Sequence, residues 1–227
     1  MSTRNSSNRS VRALRGTVLV MLAVASVACA SMNKKEKGAV IGATAGGVIG
    51  GVVGNNTGST ARGAIIGAVV GGTAGAIIGH QMDQQAKELK IEIPGASVER
   101  VGEGIEVTFA SGLLYDFDSD AIRPDAALNL RNLAISLRKY SNTDLLIVGH
   151  TDALGSTAYN QSLSLRRASS ASWYLGTQGV GTSRMRTSGR GELESLASNE
   201  TESGRQKNRR IEVAIFAGST SRSTRTR

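Results

Sequence analysis

The chain opens on an unbroken apolar run from Gly16 to Ala28, preceded by Arg4, Arg9, Arg12 and Arg15 without an acidic residue among them. A basic stretch ahead of a short apolar core is the layout of a secretory signal, and the run is too short for a transmembrane helix. Residues 1–28 read as a signal peptide and residues 29–37 as the start of the mature chain. From 38 to 80 the pattern changes. Glycines recur at 38, 42, 46, 50 and 54, and again at 63, 67, 71, 75 and 79, with valine, isoleucine and alanine between them. Lys37-Gly-Ala-Val-Ile-Gly-Ala aligns with Arg62-Gly-Ala-Ile-Ile-Gly-Ala, so the segment is an internal repeat, and the polar stretch Asn55 to Thr60 separates its halves as a turn. The repeat predicts a helical hairpin over 38–80. Each interior glycine costs a helix about 1 kcal/mol relative to alanine, so close backbone packing along the small-residue stripe must compensate. Each run would be about 26 Å long at 1.5 Å per residue, marginal for a span, so the hairpin is expected to dip into lipid or lie against it. A glycine-rich linker and an aggregation-prone strand are the competing readings.

Residues 81–97 turn polar and helix-favouring, and read as a linker in which Pro94-Gly95 stops whatever helix has formed. Beyond them, alternation around Gly102-Glu103-Gly104 predicts a hairpin of Val98–Val101 with Ile105–Phe109. Pro124 starts an amphipathic helix to Tyr140 with Ala126, Leu130, Leu133, Ala134 and Leu137 on its apolar stripe. The continuous run Asp144–Gly149 predicts a strand covered on both faces. A second helix spans Tyr159 to Leu175, and Arg184–Gly189 and Arg210–Phe216 supply two more strands. The fold class is α/β, with one domain at 98–217. The segment 218–227 reads as a disordered basic tail.

Composition narrows the function classes. A chain of 227 residues leaves room for one or two domains and excludes a large multidomain enzyme. The net charge of +9 would suggest nucleic acid, but seven of the 27 basic residues crowd the first 28 and last six positions, leaving 20 against 18 acids between. No nucleic-acid partner is implied. The single cysteine, Cys29, lies within Ala25-Ser-Val-Ala-Cys29-Ala30 and can form no intrachain disulfide. The segment resembles a bacterial lipobox, which implies that Cys29 becomes the acylated first residue; Ser26 departs from the usual leucine or valine, and a plain signal cleaved near Ala28 is the alternative. Ala30, where an aspartate would imply inner-membrane retention, points to the outer membrane.

Chemistry concentrates in the carboxyl domain. Phe117-Asp118, Gly149-His150-Thr151-Asp152, Asn160 with Leu163-Ser164 and Arg167-Ala168, Gly179-Val180 with Arg184, Gly189-x-Gly191-Glu192 and Gly204-Arg205 with Asn208-Arg209-Arg210 follow one another in order. Together they resemble the OmpA-like peptidoglycan-binding domain over about 105–216, with Leu196 departing where many members carry proline. With the lipobox and glycine zipper ahead of it, the chain is similar to YiaD-type lipoproteins. The resemblance implies a mixed sheet with helices packed on it, and a non-enzymatic outer-membrane lipoprotein, facing the periplasm, that binds the diaminopimelate side chain of peptidoglycan and tethers the membrane to the wall. It implies that Asp152 accepts the ligand ammonium and Arg167 clamps its carboxylate. It places Asn160 and Leu163 along the pocket, Thr151 at the turn, Phe117 and Asp118 on a loop supplying main-chain contacts, and Arg210 at the terminal Arg-Arg pair, whose contribution is either to the site or structural. A guanidinium suits a carboxylate better than an ammonium does, and lysine-type stems lack that carboxylate.

Other readings of these residues stand beside this one. Asp152 after a strand also suits a turn. Arg166 and Arg167 are adjacent, so only one can enter a pocket. Asp116, Asp118 and Asp120 suggest either a metal loop or a solvent-facing one. No catalytic or cofactor motif accompanies His150. Partners expected from the whole are peptidoglycan, outer-membrane lipid and a second copy through the zipper. The alternative function is a membrane-active or pore-forming oligomer built by the hairpin, with wall binding serving only for localisation.

Overall fold

The computed structural model describes residues 59–70, 76–116 and 118–218. The signal segment, Cys29, the first glycine run, Phe117 and the tail beyond Gly218 lie outside these residues. Two helices come first, α1 (Thr60–Val70) and α2 (Ala76–Glu92), followed by the hairpin β1 (Ser97–Val101) and β2 (Gly104–Ala110). Then come a short helix α3 (Ser111–Leu114), α4 (Ala127–Lys139), β3 (Thr143–His150) and α5 (Thr157–Thr177). After a 3-10 turn at Thr182–Arg184, β4 (Met185–Gly191), α6 (Glu202–Asn208) and β5 (Arg210–Ala217) complete the order.

The five strands form one sheet in the order β1-β2-β5-β3-β4. β3 pairs parallel with β4 and antiparallel with β5, so the sheet is mixed. β5 enters as the central strand between β2 and β3, which explains its near-continuous burial. Side chains alternate across it. Ile211, Val213 and Ile215 join Ile105, Val107, Phe109, Leu145 and Ile147 in the main core with α2, α4 and α5. Val148 and Ala214 meet Ala61 and Ile65 of α1 in a smaller cluster on the opposite face.

The expected stripe of α4 is buried as read, Ala126, Leu130, Leu133, Ala134 and Leu137 included. Arg138 and Lys139 sit in its last turn, where the helix dipole favours cations. Helix α5 begins two residues before the expected Tyr159, because the Ser156 hydroxyl accepts from Tyr159 N and caps its first turn.

Two expectations change. Residues 81–97 are not a linker: α2 runs to Glu92, and Met82, Ala86, Leu89 and Ile93 are buried in the main core. The polar composition of the stretch concealed a stripe at i, i+4, i+7 and i+11, enough to dock one helical face. The second glycine run, expected against lipid, forms α1 on the sheet as far as it is described, with Ala61 and Ile65 fully buried. A Cβ at Gly104 would come within 2.5 Å of Ile65 Cγ2, so the sheet leaves a glycine-sized recess for that side chain. Among the described residues no helix is long and apolar enough to cross a membrane.

Candidate functional site

The exit of β3, the first half of α5, the loop after α3 and the start of α6 enclose a cavity of about 390 Å³. β3 and α5 approach unusually closely there: a Cβ at Gly149 would lie 2.0 Å from the Ser164 carbonyl oxygen, and one at Gly189 of β4 would lie 2.7 Å from Leu165 N. Two glycines in adjacent strands thus let the helix sink onto the sheet, which brings the helical Arg167 within reach of the strand-exit Asp152. Both line the cavity. Both are nearly buried, at 6% and 5% exposure.

Arg167 is held by backbone and an aromatic ring. Its Nε donates to Ser119 O at 2.8 Å and an Nη2 hydrogen points to Asp116 O at 3.4 Å. The guanidinium lies over the Tyr115 ring, 5.3 Å from the centroid, a cation–π arrangement. The Tyr115 hydroxyl donates to Arg167 O at 2.6 Å, locking ring and helix together. Among the described residues no carboxylate forms an ion pair with Arg167, and burial pulls its pKa below the ordinary value, with Tyr115, Tyr159, Asp118 and Asp120 opposing the shift. Burying a cation without a paired anion is costly. Adjacent Arg166 instead pairs with Asp120 at 3.1 Å on the exposed side.

Asp152 is bound differently. Oδ1 accepts from Leu154 N, the turn-forming contact expected of an aspartate at this position. Oδ2 accepts from Arg209 Nη1 at 2.5 Å. Arg209 also pairs with Glu202 at 2.5 Å, and these two hydrogen bonds raise its pKa against the lowering effect of burial. Asp152 therefore arrives with a cation already attached, whose other hand is held by α6.

The remaining expected residues mostly gather here. Thr151, Asn160, Leu163 and Asp118 line the cavity. Asn160 is fixed by Nδ2 donating to Glu192 Oε2 at 2.7 Å. Asp118 accepts from the Tyr159 hydroxyl and adopts φ 55, a left-handed conformation that aspartate tolerates better than bulkier residues. Among the described residues, two buried hydroxyls on cavity-lining residues, Ser111 Oγ and Thr151 Oγ1, find no hydrogen-bond partner. Phe117 lies outside the described residues. Asp116, Asp118 and Asp120 do not converge: they bond to Arg123, Tyr159 and Arg166 respectively.

Arg210 is a correction. It is 1% exposed and pairs with Glu212 at 2.7 Å on the α1 face of the sheet. Strand alternation sends it there with Glu212 and Ala214, leaving Arg209, just before the strand, to face the cavity. Arg209, Glu202, Tyr115 and Ser111 were missed by sequence reading. The Arg-Arg doublet held the one usable signal, since adjacent residues face opposite ways.

A small α/β domain thus places a buried aspartate and a buried arginine in one cavity. The chain belongs to the OmpA family, whose profile matches residues 114–209; a YMGG-like Gly-zipper profile matches residues 11–83. It is 36% identical to YiaD of Escherichia coli over 60% of this chain and 63% of that protein. It is 32% identical to the peptidoglycan-associated lipoprotein of Agrobacterium fabrum over 60% of this chain and 77% of that protein. The alignments thus span about three-fifths of YiaD and 57% of an outer membrane protein A from Bordetella avium. Among solved structures, the cell wall anchor of the T6SS from Pseudomonas aeruginosa superposes with a TM-score of 0.52 at 28% identity, covering 60% of this chain and 96% of that one. A MotB-like protein from Desulfovibrio vulgaris shares the fold with a TM-score of 0.57 at 20% identity over 63% and 95%.

Proposed function

We propose that the domain binds the diaminopimelate terminus of peptidoglycan stem peptides non-covalently, and that the full chain, lipid-anchored at Cys29, tethers the outer membrane to the wall without catalysing a reaction. The observation that carries this reading is the buried Arg167 without a carboxylate, in one cavity with the buried Asp152. A carbon bearing both ammonium and carboxylate satisfies each pole: the carboxylate completes Arg167, and the ammonium joins Arg209 on Asp152. Relatives named a peptidoglycan-associated lipoprotein and a cell wall anchor support the choice of polymer.

Sedimentation with purified peptidoglycan tests the assignment. Asp152→Ala and Arg167→Ala should each abolish co-sedimentation, and free meso-diaminopimelate should compete while lysine should not. Retained binding in both variants would refute the site.

A further inference from the structure

Strands β3, β4 and β5 present groups both to the cavity and to the opposite face. At the end of β3, Asp152 faces the cavity, and His150, two positions earlier and fully buried, faces α1, with Nε2 3.4 Å from Glu212 and Nδ1 3.9 Å from Glu194. At the start of β5, Arg209 faces the cavity while Arg210 and Glu212 face α1. After β4, Glu192 holds Asn160 of the cavity wall and Thr157 at the start of α5, and two residues on Glu194 turns to α1.

The amino end of α1 joins these groups on the far side. Ser59 caps the helix, accepting from Arg62 N at 3.2 Å, and its hydroxyl donates to Glu212 at 2.8 Å. Thr60 N donates to Glu194 at 3.0 Å and its hydroxyl donates to the same carboxylate, while Arg190 Nε donates to Thr60 Oγ1 at 2.7 Å. Arg62 pairs with Glu106 of β2 and Glu99 of β1, each at 2.8 Å. Three acids, Glu106, Glu194 and Glu212, are drawn together behind the cavity by donors from one helical turn. Arg210 and Arg190 stay with Glu212 and Glu194 at 2.7 and 3.3 Å, so the acid that loses its cation without this turn is Glu106, buried beside the like charge of Glu212.

We propose that Ser59, Thr60 and Arg62 form a clasp that sets the spacing of the strand ends bearing Asp152, Arg209 and Glu192, and are positioning residues for the ligand cavity they never touch. The amino end of α1 thereby becomes part of the binding module. This inference rests on the wall-binding reading, and its test separates the two.

Affinity of the full chain for free meso-diaminopimelate is measured by calorimetry, with thermal melting as a check on folding. Thr60→Val keeps the shape and removes the hydroxyl; it should weaken binding about threefold or more, and Thr60→Ser should restore it. Ser59→Ala should weaken binding in the same direction and decides the matter should Thr60→Val melt at working temperature. Wild-type affinity in both Thr60→Val and Ser59→Ala, with binding lost in Asp152→Ala, overturns the clasp and leaves the wall-binding site standing. Wild-type affinity in Asp152→Ala removes the site and the clasp with it.

Discussion

Arg167 is the side chain at which stability and function pull hardest against each other. Its charge is buried against backbone carbonyls and the Tyr115 ring, an arrangement that an apolar side chain of similar length would fill at no desolvation cost. Arg167→Met is therefore expected to lose peptidoglycan binding entirely while its melting temperature stays level or rises, which paired sedimentation and calorimetric scans check. A joint loss of binding and stability would mean that the guanidinium is a structural strut. His150 carries the opposite sign of argument. Burial holds its pKa below the ordinary value, partly offset by Glu212, whose own pKa is lowered, against the raising effect of burial, by His150, Arg210 and Ser59. The unfolded chain takes up a proton on this histidine near pH 6.5, and the folded chain does so only at lower pH. Its contribution to stability is thus full above about pH 6.5 and is lost as pH falls toward the folded value. Glu106, raised by burial and by Glu212, works the other way at lower pH. Urea midpoints at pH 7.5 and 5.5 should drop on acidification in the natural chain and converge in His150→Asn.

At the scale of elements, what could be read in the sequence follows from how local the cause was. The stripe of α4, the apolar run of β3 and the core side of α5 each announce themselves within one element, and each lies where its period placed it. The candidate pair Asp152 and Arg167 emerged from motif order, and the two close approaches at Gly149 and Gly189 explain why those glycines belong to the motif. What was misjudged in α2 is its docking, which depends on a partner: its helix-favouring composition was legible, but its four apolar residues bury because α4 and β1 lie beside them. The prediction follows from the same contact. Leu89, fully buried, should cost about 2–5 kcal/mol as Leu89→Ala, a loss typical of a core leucine and absent from a linker. Likewise a chain starting at residue 97 should unfold at lower urea than one starting at 59, because it leaves the α2 face of the core uncovered. Equal midpoints would return 81–97 to the status of a connector.

For the whole molecule, the tether proposal turns on the length of chain between Cys29 and the domain. Thirty peptide links separate Cys29 from Ser59, the first described residue. Fully extended they reach at most about 100 Å, and as a flexible coil about 30 Å on average. Residues 59–96 add nothing to that reach while α1 and α2 remain seated on the domain. A tether holding membrane and wall at once is sensitive to this length, whereas a membrane-active oligomer that uses the wall only as an address is sensitive to the glycine pattern itself. Deleting residues 38–54 would cut the contour to about 45 Å and leave the domain untouched. On the tether reading, the purified deletion variant binds peptidoglycan as the natural chain does, yet in cells its lipid-anchored form is bound to the wall less often. A Gly/Ser segment of equal length then restores attachment, since it restores reach without the zipper. Failure of that replacement, together with dye leakage from liposomes carrying the natural chain, would transfer the working role from the tether to the hairpin.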